Sequence, residues 1–409
     1  MEPKVRFKGF EGEWKAPSIG DVFELRNGYT PSKIVKEFWE GGTIPWFRME
    51  DIRMNGGFLK DAQQHITPLA VKGAGLFEKK SIILATTATI GVHAMLIADS
   101  LANQQFTNFK VRKSLSDEYI DEFIYYSFFK IDEWSKNNTN SGGLLSVNMP
   151  LLVKQGFLTP CKKEQQAIAS YFRILDANLQ ASAKKVESLK KLKSASLVAM
   201  FPQQGETTPK VQFKGFEGEW RRIKFSKISS RVTRRNDMLE CKLPLTISAN
   251  EGLISQEKFF NNIVASSNLG NYYLLKRGEF AYNKSYSNGY PLGAIKRLDK
   301  YDSGVLSPLY ICFGIHDEVD SDYICSFFET TLWHKDVAER ATEGARNHGI
   351  LNIRTEDFFD IDIMIPKSKL EQQSIAAFFR TLDRKIALET ARLEKLKQIK
   401  LACLDKMFV

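Results

Sequence analysis

Two stretches of the chain carry the same alternation of apolar positions, four and then three residues apart. From Glu164 to Phe201 the apolar series is Ile168, Phe172, Leu175, Leu179, Val186, Leu189 and Met200. From Glu371 to Phe408 it is Ile375, Phe379, Leu382, Ile386, Leu393, Leu396 and Met407. A side chain that returns every 3.5 residues on average stays on one helix face, so each stretch predicts a long helix with a heptad seam. Neither stretch contains Pro or Gly to break it. At about 1.5 Å per residue each helix would run about 55 Å. The seam is interrupted at matching places, by Ser182, Lys193 and Ser196 in one copy and Glu389, Lys400 and Cys403 in the other. Leu192 and Ile399 lie one residue before the lysines, which predicts a wider apolar stripe there. Two such helices in one chain most simply pair with each other.

A second repeat marks where each half begins. Lys4–Trp14 (KVRFKGFEGEW) recurs as Lys210–Trp220, and only Arg6 against Gln212 differs. Each half therefore reads as short motif, variable body, long helix. The bodies, about residues 15–160 and 221–366, look unrelated to each other in sequence. Strands are predicted at Ile44–Arg48, Ser81–Thr86 and Phe109–Val111, and at Leu243–Ile247, Glu279–Tyr282 and Leu309–Phe313. Helices are predicted at Asp117–Lys130 and Asp320–Glu339, and a short helix or turn at Ile19–Leu25. The expected architecture is mixed α/β (α+β), with two globular domains joined by two long antiparallel helices forming a coiled coil. Its boundaries are 1–160 for the first domain, 161–203 for the first helix, 204–366 for linker and second domain, and 367–409 for the second helix. Pro202–Pro209 is linker-like in composition.

Net charge of +10 and a pI near 9.1 lean toward an anionic partner. No run of 18 apolar residues predicts a membrane span, and Met1–Arg6 has no signal-like apolar core. Five cysteines, none in CxxC spacing, fit a reducing cytoplasm better than a disulfide framework or zinc site. Phosphate-loop, zincin, nucleophile-elbow and dinucleotide-binding motifs are all missing, and the five histidines show no ligand spacing. Each histidine reads as a surface or loop residue, and Glu78-Lys79-Lys80 as a solvated turn. No catalytic residue, metal site or cofactor of its own is therefore expected.

Polar, aromatic and basic residues concentrate instead in Gly-punctuated loops. Arg26, Asn27, Tyr29, Thr30, Ser32 and Lys33 form one group, with Arg48 nearby in sequence. Arg231, Thr233, Arg234, Arg235 and Asn236 form a second. Asn283, Lys284, Ser285, Tyr286 and Tyr290 form a third, and Arg346 and Asn347 lie in a further loop. Arg and Lys suit phosphates and guanine edges, Asn suits adenine, and Ser and Thr reach either. These are the candidate DNA contacts. Such loops are also what ordinary surfaces look like, so a protein scaffold with two ligand-binding modules stays open beside the DNA reading.

The paired EQQ-x-I-A-x-[YF]-F-R-x-L-D helices resemble the specificity subunits of type I restriction-modification systems. Asn27–Lys33 is similar to a G-x-T-P-S loop of their target-recognition domains, and Lys276–Lys284 and Gly304–Tyr310 resemble further segments there. The resemblance implies two target-recognition domains, each reading half of a split, asymmetric double-stranded DNA site, with the helices setting the spacer. It also implies docking of two methylation subunits, and of restriction subunits that complete the nuclease. S-adenosylmethionine, ATP and Mg²⁺ would belong to those partners.

Overall fold

The structure is a computed structural model and describes residues 2–140, 145–248, 251–260, 268–285, 289–341, 351 and 353–409. The chain forms two compact units. One comprises Met1–Ala183 with Ala391–Val409, the other Lys184–Thr390.

The predicted long helices run Lys162–Ala199 and Lys369–Met407. Within the first unit Tyr171 meets Cys403 and Asp176 meets Lys400. Within the second, Lys193 meets Asp383 and Lys185 meets Glu389. Partner numbers fall as the others rise, so the helix segments in each unit run antiparallel. The seam residues are buried or half-buried throughout, and so are the polar interruptions, with Ser182 and Glu389 buried. The expected widening of the stripe is not found. Leu192 is 49% and Ile399 37% exposed, while Lys193 and Lys400 take the inward position because each finds a carboxylate there.

In the first unit a five-stranded sheet runs in the order Phe23–Asn27, Phe106–Val111, Ile82–Ala85, His93–Leu96, Phe58–Leu59. Only the last pair is parallel. Ile82 and Leu84 face one core with the helix Asp121–Asn137 and the long-helix seam, and Ile83 and Ala85 face a second core with Trp46, Phe47 and Phe106. Burial on both faces explains the unbroken apolar run of this strand. The segment Ile19–Leu25, predicted as a short helix or turn, divides into a helix, Ile19–Val22, capped by Ser18, and the first strand.

In the second unit a four-stranded antiparallel sheet runs Ser229–Arg231, Ile311–Ile315, Phe280–Asn283, Ala294–Arg297. That is the order of the first four strands of the other sheet. The bodies that look unrelated in sequence thus each hold a sheet with the same strand order. Arg221–Lys224 pairs with Asp362–Ile365, matching the bridge of Lys15 to Thr159 in the first unit. The helix predicted over Asp320–Glu339 is two helices, Ser321–Phe328 and His334–Arg340. Between them the Thr330 hydroxyl donates to Phe327 O at 2.7 Å, and the buried Trp333 gives its indole N–H to Phe328 O at 3.2 Å. These local bonds compete with helix continuation.

One histidine departs from expectation. His93 is buried among Tyr125, Phe128 and Phe129, with Nδ1 2.6 Å from Asp132 and Nε2 2.9 Å from Tyr125 O. Both ring nitrogens face acceptors, so the side chain ties helix to sheet rather than meeting solvent.

Each body docks on the start of a long helix in the same way. Gln165 Oε1 accepts the Ile120 N–H at 3.0 Å, and its amide donates to Glu118 O, Pro160 O and the Thr159 hydroxyl at 3.1 Å. Gln372 Oε1 accepts the Asp320 N–H at 2.9 Å and its amide donates to Pro366 O at 3.1 Å. Lys162 and Lys369 donate to the carbonyls of Asp117 and Asp317. Both glutamines are buried, and a buried amide with its donors and acceptors filled fixes orientation as well as affinity.

Candidate nucleic-acid interface

The first candidate loop is braced at its base. Gly28 lies so close to the carbonyls of Ala102 and Asn103 that a Cβ would sit 2.4 and 2.2 Å from their oxygens, which leaves room only for glycine. Tyr29 donates its hydroxyl to Ala70 O at 3.0 Å and accepts the Lys72 N–H at 2.9 Å; the Lys72 ammonium stands 4.4 Å from the ring. Trp46 Nε1 donates to Tyr29 O at 3.0 Å, and the Thr30 hydroxyl donates to Gln104 at 2.5 Å. Trp39 closes the far side by donating to Ser32 O at 3.0 Å. What this clamp presents to solvent is the side chains of Ser32, Lys33 and Ile34, the last 92% exposed.

Other predicted contacts of this body are partly committed elsewhere. Arg26 gives its guanidinium to Ala74 O at 2.6 Å and Gly75 O at 2.7 Å, over the Phe77 ring. It therefore braces the neighbouring loop. Asn27 is exposed and its side-chain oxygen accepts the Thr107 hydroxyl at 2.9 Å. Arg48 is partly exposed, with Nε 3.9 Å from the Glu50 carboxylate. Lys72 and Gln104 join the loop although they are distant in sequence, and no local pattern marks them.

In the second body Arg231 and Arg235 converge on Tyr273. Arg231 donates to its hydroxyl at 3.2 Å, and the Arg235 guanidinium lies 4.3 Å from the ring while donating to Asn271 O. Both arginines remain exposed. A guanidinium held over an aromatic face keeps donors available for phosphate or guanine. Arg234 is exposed and pairs with Glu279 at 2.7 Å.

Asn236 is the clear correction. It is fully buried, donating to Cys241 O at 2.8 Å and accepting the Cys241 N–H at 3.0 Å. Its polar groups are spent on pinning their own turn, so it leaves the solvent-facing set. Asn283 accepts the Ser285 N–H at 3.1 Å. Lys284 is half-buried with its ammonium 3.5 Å from Ile353 O, and burial pushes its pKa down, a poor state for a phosphate ligand. Tyr290 is partly exposed, 5.9 Å from the Lys296 ammonium, and burial raises its phenol pKa. Tyr286, Arg346 and Asn347 lie outside the described residues. Among the described residues no group of His, Cys, Asp and Glu is placed to hold a metal ion. None of the described helices is long and apolar enough to cross a membrane.

Sheet bodies packed on long helices are also the fold of a solved class of subunit. The structure superposes on a type I restriction-modification system S subunit from M. genitalium with a TM-score of 0.59 at 17% identity, covering 100% of this chain and 99% of that one. In sequence, residues 11–191 and 327–398 match the type I restriction modification DNA specificity domain, and the chain belongs to that family. It is 44% identical over 172 residues to the type I restriction enzyme EcoprrI specificity subunit of Escherichia coli, covering 41% of this chain and 42% of that protein. It is 29% identical over 185 residues to the MjaIX specificity subunit of Methanocaldococcus jannaschii, covering 44% and 42%. Each match thus takes in less than half of the relative's length.

Proposed function

We propose that this chain is the sequence-reading subunit of a type I restriction-modification complex in the cytoplasm, itself without catalysis. Each body reads one half of a bipartite, asymmetric double-stranded DNA site, and the long helices set the unread spacer. Two methylation subunits dock on the scaffold and restriction subunits join them. S-adenosylmethionine, ATP and Mg²⁺ are bound by those partners.

The observation that carries this reading is the repeated sheet order mounted on a repeated glutamine joint, with different loops on each copy. A shared mount with unlike contact loops is what reading two different half-sites requires. The clamped Ser32–Ile34 tip and the Arg231–Tyr273–Arg235 cluster supply base-edge and phosphate contacts, and phosphates give most of the affinity and its salt dependence.

Exchange of residues 15–160 for another body of this family, followed by mapping of methylated sites in host DNA, tests the assignment. One half-site should change and the other persist. A change in both, or in neither, removes it. Binding to DNA that is indifferent to salt would favour a protein scaffold instead.

A further inference from the structure

The two most exposed large apolar side chains among the described residues are Ile34, at 92%, and Met238, at 82%. Single exposed apolar residues are common on protein surfaces. Position sets these two apart. Each sheet begins, in the shared strand order, with the strand from which one of these loops leaves: Phe23–Asn27 in the first body and Ser229–Arg231 in the second. Ile34 lies seven residues past the end of the one strand, and Met238 seven past the end of the other. Both occupy the third place of a four-residue turn, residues 32–35 and 236–239. The two turns have no residue in common.

Each turn is also braced, by unlike means. In the first, Pro31 is buried, and Trp39 donates to Ser32 O at 3.0 Å while its ring meets Trp46 edge-on at 5.1 Å. The Phe38 N–H donates to Val35 O at 3.2 Å. In the second, the Leu239 N–H donates to Asn236 O at 2.8 Å, the Asn236 N–H to Tyr272 O at 3.0 Å, and the Asn236 side chain is tied to Cys241. Leu239 takes φ of 53°, a left-handed backbone that a leucine adopts at a cost. Neither Ile34 nor Met238 belongs to a hydrophobic cluster of its body. Packing within the bodies therefore does not account for an apolar side chain at the same place on two unlike turns.

We infer that Ile34 and Met238 are specificity-determining residues, each set against the C5-methyl of a thymine in the major groove, one in each half-site. The inference rests on the reading of this chain as the sequence-reading subunit. Base edges in that groove present donors and acceptors, and the thymine methyl is the apolar group it offers. An apolar tip gains nothing from a phosphate, and against any other base edge it leaves a donor or acceptor unpaired. The neighbours of each tip suit base contact. Lys33, exposed beside Ile34, matches guanine or phosphate. Asp237, exposed beside Met238, is repelled by phosphate but accepts from the cytosine amino group.

The test uses the full chain assembled with the methylation subunits of its own system, and short duplexes carrying the site found by mapping methylated positions in host DNA. Each thymine of the site is replaced in turn by deoxyuridine, which removes the methyl group and keeps base pairing. The wild-type complex should lose about fourfold in affinity at one thymine of each half-site, the transfer value of one such group. In I34A that loss should vanish in the half-site of the first body alone, and in M238A in the other alone. I34V keeps an apolar tip and should keep the loss. The thermal midpoints of all three variants should match wild type, since neither tip packs on a core. Losses of equal size in wild type, I34A and M238A, or no loss at any thymine, overturn the inference while sequence-specific binding leaves the reading of the chain standing. A half-site without a thymine on either strand overturns it for that body. A complex that binds DNA without regard to sequence overturns both the inference and the reading.

Discussion

The Lys193 ammonium, at a seam position where a heptad pattern calls for an apolar side chain, lies 2.5 Å from the exposed Asp383 carboxylate beside the seam. The equivalent positions in the other unit form the same pair with the helices exchanged, Lys400 to Asp176 at 2.6 Å. Lys193 also reaches Glu329 of the second body at 2.6 Å, and Asp176 also accepts the Tyr126 hydroxyl at 2.8 Å. Each pair thus couples both long helices to a body.

Loss of the Asp383 carboxylate leaves the poorly solvated Lys193 ammonium with Glu329 as its remaining carboxylate among the described residues. Asp383→Ala should destabilise the chain by about 1–3 kcal/mol, between the limits for exposed and buried pairs. Lys193→Leu combined with Asp383→Ala should recover part of that loss, since the seam position is then apolar and no ammonium is held there. Urea unfolding of the two variants and wild type checks the order.

The same pair makes alkaline stability depend on Lys193. Burial opposes its charge, but the Glu329 and Asp383 carboxylates outweigh burial and the ammonium pKa is raised. A raised folded pKa means that the stabilisation is complete below the unfolded lysine value of about 10.4 and is lost as pH rises through the folded one. The thermal midpoint of wild type should therefore fall toward that of Lys193→Met above about pH 10.5. A gap between the two that stays constant to pH 12 would contradict this.

Arg235 and Asn236 are neighbours with opposite expected phenotypes. Arg235→Ala should leave the fold intact, weaken DNA binding by the assembled complex, and reduce the salt slope by about one. Asn236→Ala should cost about 1–3 kcal/mol of stability, because the Cys241 N–H and carbonyl lose buried partners. Its salt slope should not change. Fluorescence anisotropy across a salt series, with thermal unfolding alongside, separates the two.

That contrast also marks what the residues disclosed in advance. The long helices were legible because Ile168 to Met200 and Ile375 to Met407 keep a local period. Arg235 and Asn236 read alike in sequence, since a polar loop residue looks the same whether it serves solvent or its own turn. The shared sheet order was hidden because strands such as Phe23–Asn27 and Phe106–Val111 pair across some 80 residues, and nothing local records the partner. The break between Phe328 and His334 carries no Pro or Gly, so the pattern ran through it.

Phe172 gives a structural control for the first unit. It is fully buried, with its ring 4.8 Å from Tyr126 and 5.8 Å from Phe408. Phe172→Ala should cost about 3–5 kcal/mol. Phe379→Ala should do the same in the second unit, where Phe379 packs on Phe201 at 6.0 Å. If each body reads its own half-site, each variant should relax methylation specificity at one half-site before the other, as read by mapping of methylated sites.

The glutamine joint has a consequence for how such chains diversify. Gln165, Gln372, Lys162 and Lys369 grip the bodies almost wholly through peptide N–H and carbonyl groups, with the Thr159 hydroxyl the one side chain engaged. A socket that grips mostly main chain is nearly blind to the plug's residues. Mutation or recombination can therefore rewrite a body's loops widely, so long as its peptide groups and the few side chains that meet the helices, such as Tyr126 and Glu329, still arrive at the same places.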